Sequence, residues 1–382
     1  MQNSSSSRKR AQNRDRAVVS AIASSLATVI FTSSSQASAA CYPGTDLNPL
    51  ESSLVIETTG GSYWDAFRSA VVEPFEQACD VKVTMAISPQ RNIGQLEGLV
   101  KRKAVTWDIG IINNPWDYAT ALREDLIEPF PKDFWKPIEA KLIPGAYSDY
   151  SVWSNIYGVH LVYNTDTFAQ KPENWKDFWD TAKFPGPRSM QDNVINVVIA
   201  LLADGVAPKE IYPITDEKLK RAFVKLDELR PSIRSFWTAG DQPIQGVGRG
   251  DFVMATGQTS RIFSGLRSGY KIGTTFNQAI TTESLLYRPR GAQNPLAAAA
   301  LLFFYNSEKP QAKMAELTGY TGALKNPTTF VAPSDAANLL TAQDNLAQTV
   351  PLDKDWWGAN AARIQPLWRE WITTGRVSLS GK

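Results

Sequence analysis

Only one histidine, His160, and two cysteines, Cys41 and Cys79, occur in the 382 residues. A single imidazole rules out a His-Glu-x-x-His zinc helix, and two distant cysteines leave no Cys-x-x-Cys pair. A Gly-Lys-Ser/Thr phosphate loop and a Gly-x-Ser-x-Gly elbow are missing too. Gly246-Val247-Gly248-Arg249-Gly250 precedes a strand-like stretch instead of following one, so it reads as a turn and not as a dinucleotide loop. Cys79 falls near the end of an expected helix, where the dipole opposes a thiolate. These absences argue against an enzyme, and neither a catalytic residue, a metal nor a cofactor is assigned.

No charge sign dominates either, with 40 Lys and Arg against 38 Asp and Glu. Charges of both signs spread along the chain give no footprint for nucleic acid. No apolar run reaches the roughly 20 residues a membrane helix needs. The longest, Ala17 to Phe31, follows Arg8, Lys9, Arg10, Arg14 and Arg16 and precedes Ala37-Ser38-Ala39. That is the layout of a secretory signal peptide over residues 1–40. Those five basic residues, less Asp15, account for +4 of charge, so the remainder carries −2. An exported, periplasmic protein is expected. There Cys41 and Cys79 can form a disulfide, with lipid attachment at Cys41 as the rival reading, although Ser38 stands where a lipobox has leucine.

What remains, roughly 340 residues, exceeds what one hydrophobic core usually serves, so two lobes are expected. Leu54 to Glu57 reads as a strand, Ser62 to Gln77 as a helix, and Val81, Val83, Met85 and Ile87 as an alternating strand. Ser62 and Asp65 have capping-box spacing, while Phe67, Val71 and Phe75 share one helical face. A helix through Ile93, Leu96, Leu99 and Val100 precedes the strand Trp107 to Ile112. This β-α-β-α-β run predicts a parallel sheet, whose ligands sit beyond the carboxyl ends of the strands. The loops Gly60 to Trp64 and Asn113 to Trp116 lie there. A second α/β unit follows: strand Gly158 to Tyr163, helices at Val194 to Leu202 and Leu219 to Leu229, strand Asp251 to Thr256, and a helix capped by Asn294 and opened by Pro295.

Several segments carry a family resemblance: Thr58-Thr59-Gly60-Gly61, Trp107-Asp108-Ile109, Tyr163-Asn164-Thr165-Asp166, Trp175 to Asp180 with Lys183-Phe184-Pro185-Gly186, Leu201 to Val206, Phe223 to Pro231, and Gly291-Ala292-Gln293-Asn294. Taken in order, they make the chain resemble the spermidine/putrescine-binding branch of the bacterial extracellular solute-binding proteins. The resemblance implies an α/β type II periplasmic-binding-protein fold, with two lobes joined by multiple hinge crossings near residues 163, 283 and 326. Lobe 1 would comprise 41–162 and 284–326, and lobe 2 would comprise 163–283 and 327–382. It also implies a monomer that traps a small-molecule ligand between its lobes and delivers it to an ABC permease in the inner membrane.

Polyamine-type members hold an amine with carboxylates and aromatic faces, a combination suited to a cation. Here the resemblance points to Glu283 as the crossing carboxylate, to Asp192, for which helix capping is the rival role, and to Tyr320. Tyr63, Trp64, Asn113, Asn114 and Trp116 join them by their place at strand ends. The chain departs from the pattern at Gln258, where the family commonly has tryptophan, at Thr281, which replaces an aromatic residue, and at Ile195, which replaces a carboxylate. Arg261 adds a positive contact suited to a carboxylate-bearing amine. The expected ligand is therefore a polyamine or related amino compound, with an amino acid, iron(III), or an enzyme on the same fold as alternatives.

Overall fold

The computed structural model of the protein describes residues 49–58, 60–88 and 93–377. β1 (Ser53–Thr58) leads into a helix that starts as α1 (Ser62–Phe67), passes through a π turn (Arg68–Val72) and ends as α2 (Glu73–Cys79). β2 (Lys82–Ile87) returns parallel to β1, from Ser53 opposite Lys82 to Thr58 opposite Ile87. After α3 (Ile93–Lys101) comes β3 (Gly110–Ile112), and Ile109 just before it bridges Ile56 in parallel. The stripe Phe67, Val71 and Phe75 is buried, as its helical spacing requires.

Beyond α4 (Pro115–Arg123), the chain enters the long strand β4 (Ser151–Asn164), then α5 (Trp175–Trp179), β5 (Arg188–Gln191), α6 (Asn196–Ala203) and α7 (Asp216–Leu229). It continues through β6 (Ile233–Trp237), α8 (Asp241–Arg249), β7 (Met254–Gln258), α9 (Thr259–Arg267), β8 (Ile272–Thr274) and β9 (Ile280–Tyr287). The last elements are α10 (Pro295–Tyr305), α11 (Glu308–Thr318), β10 (Val350–Pro351) and α12 (Lys354–Thr374). Strand order in the larger sheet is β10-β9-β4-β7-β5-β6, with β3 also on β9 and β8 also on β4.

Two large hydrophobic cores divide the molecule. One gathers Leu54, Ile56, Phe67, Val71, Val152, Leu286 and Leu301. The other gathers Val159, Leu161, Met190, Leu201, Leu226, Ile280, Trp357 and Trp371. β4 gives Val152 to the first core and Val159 to the second, while β9 gives Ile280 to the second and Leu286 to the first. A third segment lies beside them where Thr321 bridges Ile156. The mixed α/β fold thus carries two cores, with β4 and β9 each contributing to both; β4 changes core between Val152 and Val159, earlier than the expected crossing near 163.

Some local expectations need correction. Gly246 to Gly250 is not a free turn: it is the C-terminal half of α8, closed by Gly250 at φ +79°. The bare Gly246 lets the Phe252 ring lie against the helix, where a Cβ would fall 2.3 Å from it. The capping box at Ser62 does not form, because Gly61, at φ 82°, takes the N-cap position and makes no side-chain cap bond. Asp192 does not cap α6, whose N-cap is Ile195. Cys41 lies outside the described residues, and Cys79 is not a free thiol.

Candidate functional site

Three strand-to-helix turns come together around Arg261. Beyond β1, Gly60 and Gly61 swing the chain into α1, so that Ser62 opens the helix. Beyond β6, Gly240 precedes Asp241 at the start of α8. Beyond β7, Gln258 is the N-cap of α9 and sets Arg261 in its first turn. Arg261 Nη1 donates to Ser62 Oγ at the start of α1, far away in the sequence. Asp241 Oδ2 stands 3.5 Å from the same guanidinium.

The packing there is close. A Cβ on Gly61 would lie 3.6 Å from the Arg261 guanidinium and 3.8 Å from Asp241 Oδ2. One on Gly240 would lie 3.2 Å from both Arg261 and Gln258. Only 12% of the Arg261 side chain is exposed, against 48% of Asp241. A largely buried guanidinium with one half-exposed counter-ion favours a further anionic partner, and its planar fork suits a carboxylate. Arg261 and Gln258 were expected at the site; Ser62, Gly240 and Asp241 were not. The rule applied to Gly60-Gly61 would have found them, since Gly240-Asp241 follows the end of β6 in the same way.

Tyr63 and Tyr320 come together nearby, with ring centroids 6.1 Å apart, and Tyr63 Oη lies 3.2 Å from Ser154 Oγ on β4. Trp64 stacks on Phe67, and Tyr63, Trp64 and Tyr320 are all buried members of the first core. Tyr157 Oη donates to the Asn113 carbonyl at 2.6 Å, fixing the end of β3 to β4. Asn114 is the N-cap of α4: it accepts from Asp117 N at 2.8 Å and donates to Asp117 Oδ2 at 2.7 Å. Burial pushes the Asp117 carboxyl up to about 6, with the Asn114 bond opposing. Trp116 packs on Trp357 of α12, with centroids 5.5 Å apart.

The acids expected to hold an amine already have other partners. Asp192 Oδ1 accepts from Trp368 Nε1 at 2.8 Å. Glu283 Oε2 lies 3.4 Å from Lys354 Nζ. Glu283 stands opposite Ile156, whereas Thr282 and Ser284 stand opposite Tyr157 and Asn155. Side chains alternate along a strand, so Glu283 faces away from the side that Thr282 and Ser284 share. With Asn114, Thr282 and Leu285 it lines a cavity of about 510 Å³, to which Arg261, Tyr63 and Tyr320 do not contribute.

His160, buried in β4, has Nε2 2.9 Å from Thr259 Oγ1 and Nδ1 3.2 Å from the Thr275 carbonyl. Burial lowers its pKa to about 4. It supports the start of α9, the helix that carries Arg261. Among the described residues, no group of three or more His, Cys, Asp or Glu could hold a metal ion.

Comparison with known proteins identifies the fold and the family. A gamma-aminobutyric acid-binding protein of Pseudomonas aeruginosa is 28% identical over 329 residues, covering 84% of this chain and 90% of its own length. The crystal structure of an ABC transporter substrate-binding protein from Bradyrhizobium japonicum superposes with a TM-score of 0.78 at 27% identity, over 84% of this chain and all of that one. A GABA receptor structure superposes at 0.75 with 30% identity, over 85% of this chain and 99% of that one. A spermidine/putrescine substrate-binding protein from Streptococcus pneumoniae shares only 15% identity at a TM-score of 0.66, a likeness of fold alone. The polyamine branch is thus a distant neighbour. Residues 70–342 match the profile described as bacterial extracellular solute-binding protein. The chain belongs to that family and is an ABC transporter substrate-binding protein.

Proposed function

We propose that the protein captures a small carboxylate-bearing amine, of the amino-acid class that includes γ-aminobutyrate, in the cleft beside Arg261. It then delivers this ligand, as a periplasmic monomer, to an inner-membrane ABC permease. Arg261 carries the reading: a largely buried guanidinium on α9 meets Ser62 at the start of α1. A ligand carboxylate placed there bonds to both lobes at once, and ligand favours closure only through contacts that the closed form adds. Gln258 contributes a neutral hydrogen bond, and Asp241 is the carboxylate nearest to a ligand ammonium.

An extended polyamine fits less well. Asp192 and Glu283 already face Trp368 and Lys354, and the cleft presents a cation. Titration calorimetry with γ-aminobutyrate, 5-aminovalerate, alanine, putrescine and spermidine tests the reading. Arg261→Ala should weaken the carboxylate-bearing ligands roughly 30- to 100-fold, the equivalent of about 2–3 kcal/mol for a buried charged hydrogen-bond partner. Putrescine binding in preference to the zwitterions, with unchanged affinity in Arg261→Ala, would overturn it.

A further inference from the structure

Thr259 is the first residue of α9, between Gln258, the N-cap, and Arg261 two residues on. It is buried, and its hydroxyl is the centre of a run of hydrogen bonds. Gly158 N of β4 donates to Thr259 Oγ1 at 2.8 Å, and His160 Nε2 lies 2.9 Å from the same oxygen. The far side of the ring fixes the directions. The Thr275 carbonyl can only accept, so Nδ1, 3.2 Å from it, carries a hydrogen. Burial lowers the His160 pKa to about 4, which leaves the ring neutral at pH 7. Nε2 is therefore bare and accepts the Thr259 hydroxyl hydrogen.

The surroundings hold this run in place. Gly158 has no side chain to block the ring: a Cβ there would fall 2.6 Å from His160 Nε2. Phe276 meets the ring edge-on, with centroids 5.6 Å apart. The ladder between β4 and β7 ends with Val159 opposite Gln258, and the Thr259 hydroxyl carries the attachment one residue further, from strand into helix. The anchor is β4, a strand that contributes to both cores. A helical turn moves as a unit, so the placement of Thr259 passes to Gln258 on one side and to Arg261 on the other. Hydrogen bonds weaken steeply with distance and angle, so a small shift of this turn is felt by any carboxylate it holds.

We propose that Thr259 is a positioning residue for the ligand: its hydroxyl, oriented by His160, holds the first turn of α9 on β4 and so fixes where Gln258 and Arg261 meet a ligand carboxylate. This inference rests on the reading of the cleft beside Arg261 and adds to it two residues that act from behind the site.

The probe is the tightest binder among γ-aminobutyrate, 5-aminovalerate and alanine, read by calorimetry and NMR on the full protein. Thr259→Val keeps the shape without the hydroxyl and should weaken the probe about 5- to 20-fold, whereas Thr259→Ser should stay within about 2-fold of the wild type. His160 is the only histidine in the sequence, so its ring nitrogens are read in isotope-labelled protein without assignment. Saturating probe should shift their signals in the wild type and in Thr259→Ser, but not in Thr259→Val. Melting of each unliganded variant, read first, separates loss of binding from loss of fold; where Thr259→Val does not fold, the wild-type His160 signals decide. Undiminished affinity in Thr259→Val, an equal loss in Thr259→Ser, or wild-type His160 signals that saturating probe leaves unmoved would overturn this inference alone, provided that Arg261→Ala still weakens the probe. Binding of none of the three probes by the wild type, or their undiminished binding by Arg261→Ala, would overturn the reading of the cleft and this inference with it.

Discussion

Asp108 is a residue whose motif suggests function but whose surroundings show architecture. It is 2% exposed, and its two oxygens accept four hydrogen bonds: from Val55 N, Gln293 N, Asn294 N and Asn294 Nδ2, at 2.9 to 3.0 Å. The segments Trp107-Asp108-Ile109 and Gly291 to Asn294 are thus two halves of one bond set that ties β1 and β3 to the start of α10. Arg188 plays a similar part, wholly buried and donating to the carbonyls of Phe178, Phe184 and Gly186. Segments that carry the family resemblance therefore mark folding more than ligand choice. Asp108→Asn keeps the shape but turns one acceptor into a donor against N–H groups, leaving buried polar groups unsatisfied. It should lower unfolding stability in urea by about 2–4 kcal/mol while ligand affinity in the folded protein stays unchanged; a loss of affinity with stability intact would reassign Asp108 to the site.

The elements themselves were largely legible, because helical and strand periodicities are physical consequences of which faces are buried. The helix through Phe67, Val71 and Phe75 follows from spacing alone, and so does the alternation at Val81, Val83 and Met85, but Ile87 at the end of β2 is exposed. Register was not legible. Resemblance placed Glu283 at the crossing, but side chains on a strand change face with every residue, and only pairing of Thr282 with Tyr157 and of Ser284 with Asn155 settles which face each takes. The role of Arg261 depends on a partner far away in sequence, and periodicity says nothing about such a pairing. Close approach across strands was equally hidden. Gly110 lies opposite Tyr287 on β9, and a Cβ there would fall 2.4 Å from the Tyr287 ring. Gly273 lies opposite Tyr163 on β4 in the same way, at 2.3 Å. Each crossing strand thus ends with a tyrosine lying over a glycine of its neighbour. Because the Tyr287 ring is buried and cannot move aside freely, Gly110→Ala should cost about 1–3 kcal/mol by overpacking, seen as a lower melting temperature. An unchanged melting temperature would mean that the ring has room to shift.

Across the whole molecule, the buried His160 and the half-buried Asp117, on different elements, give stability opposite dependences on pH. His160 has a folded pKa of about 4, below the ordinary value of about 6.5. The unfolded chain therefore binds more protons in that interval, and the His160 contribution is complete above pH 6.5 and lost as pH falls toward 4. Asp117 has a folded pKa of about 6, above its usual 3.8. The folded chain binds the extra proton, so its contribution is complete below pH 3.8 and lost as pH rises through 6. Each contribution amounts to about 3 kcal/mol. Between pH 4 and 6 the two nearly cancel, and the pair leaves wild-type stability almost flat there. Removing one member exposes the other. In urea unfolding at pH 4, 5 and 6, Asp117→Asn should grow more stable as pH rises and His160→Gln less stable, each by about 2–3 kcal/mol across the interval. The comparison rests on slopes and not on absolute stabilities, so it holds even if His160→Gln starts lower through loss of its bonds to Thr259 and Thr275. Parallel slopes in both variants would show that neither group is held away from its ordinary ionisation. The opposed slopes would also identify His160 as the acid-sensitive support of the helix on which Arg261 stands.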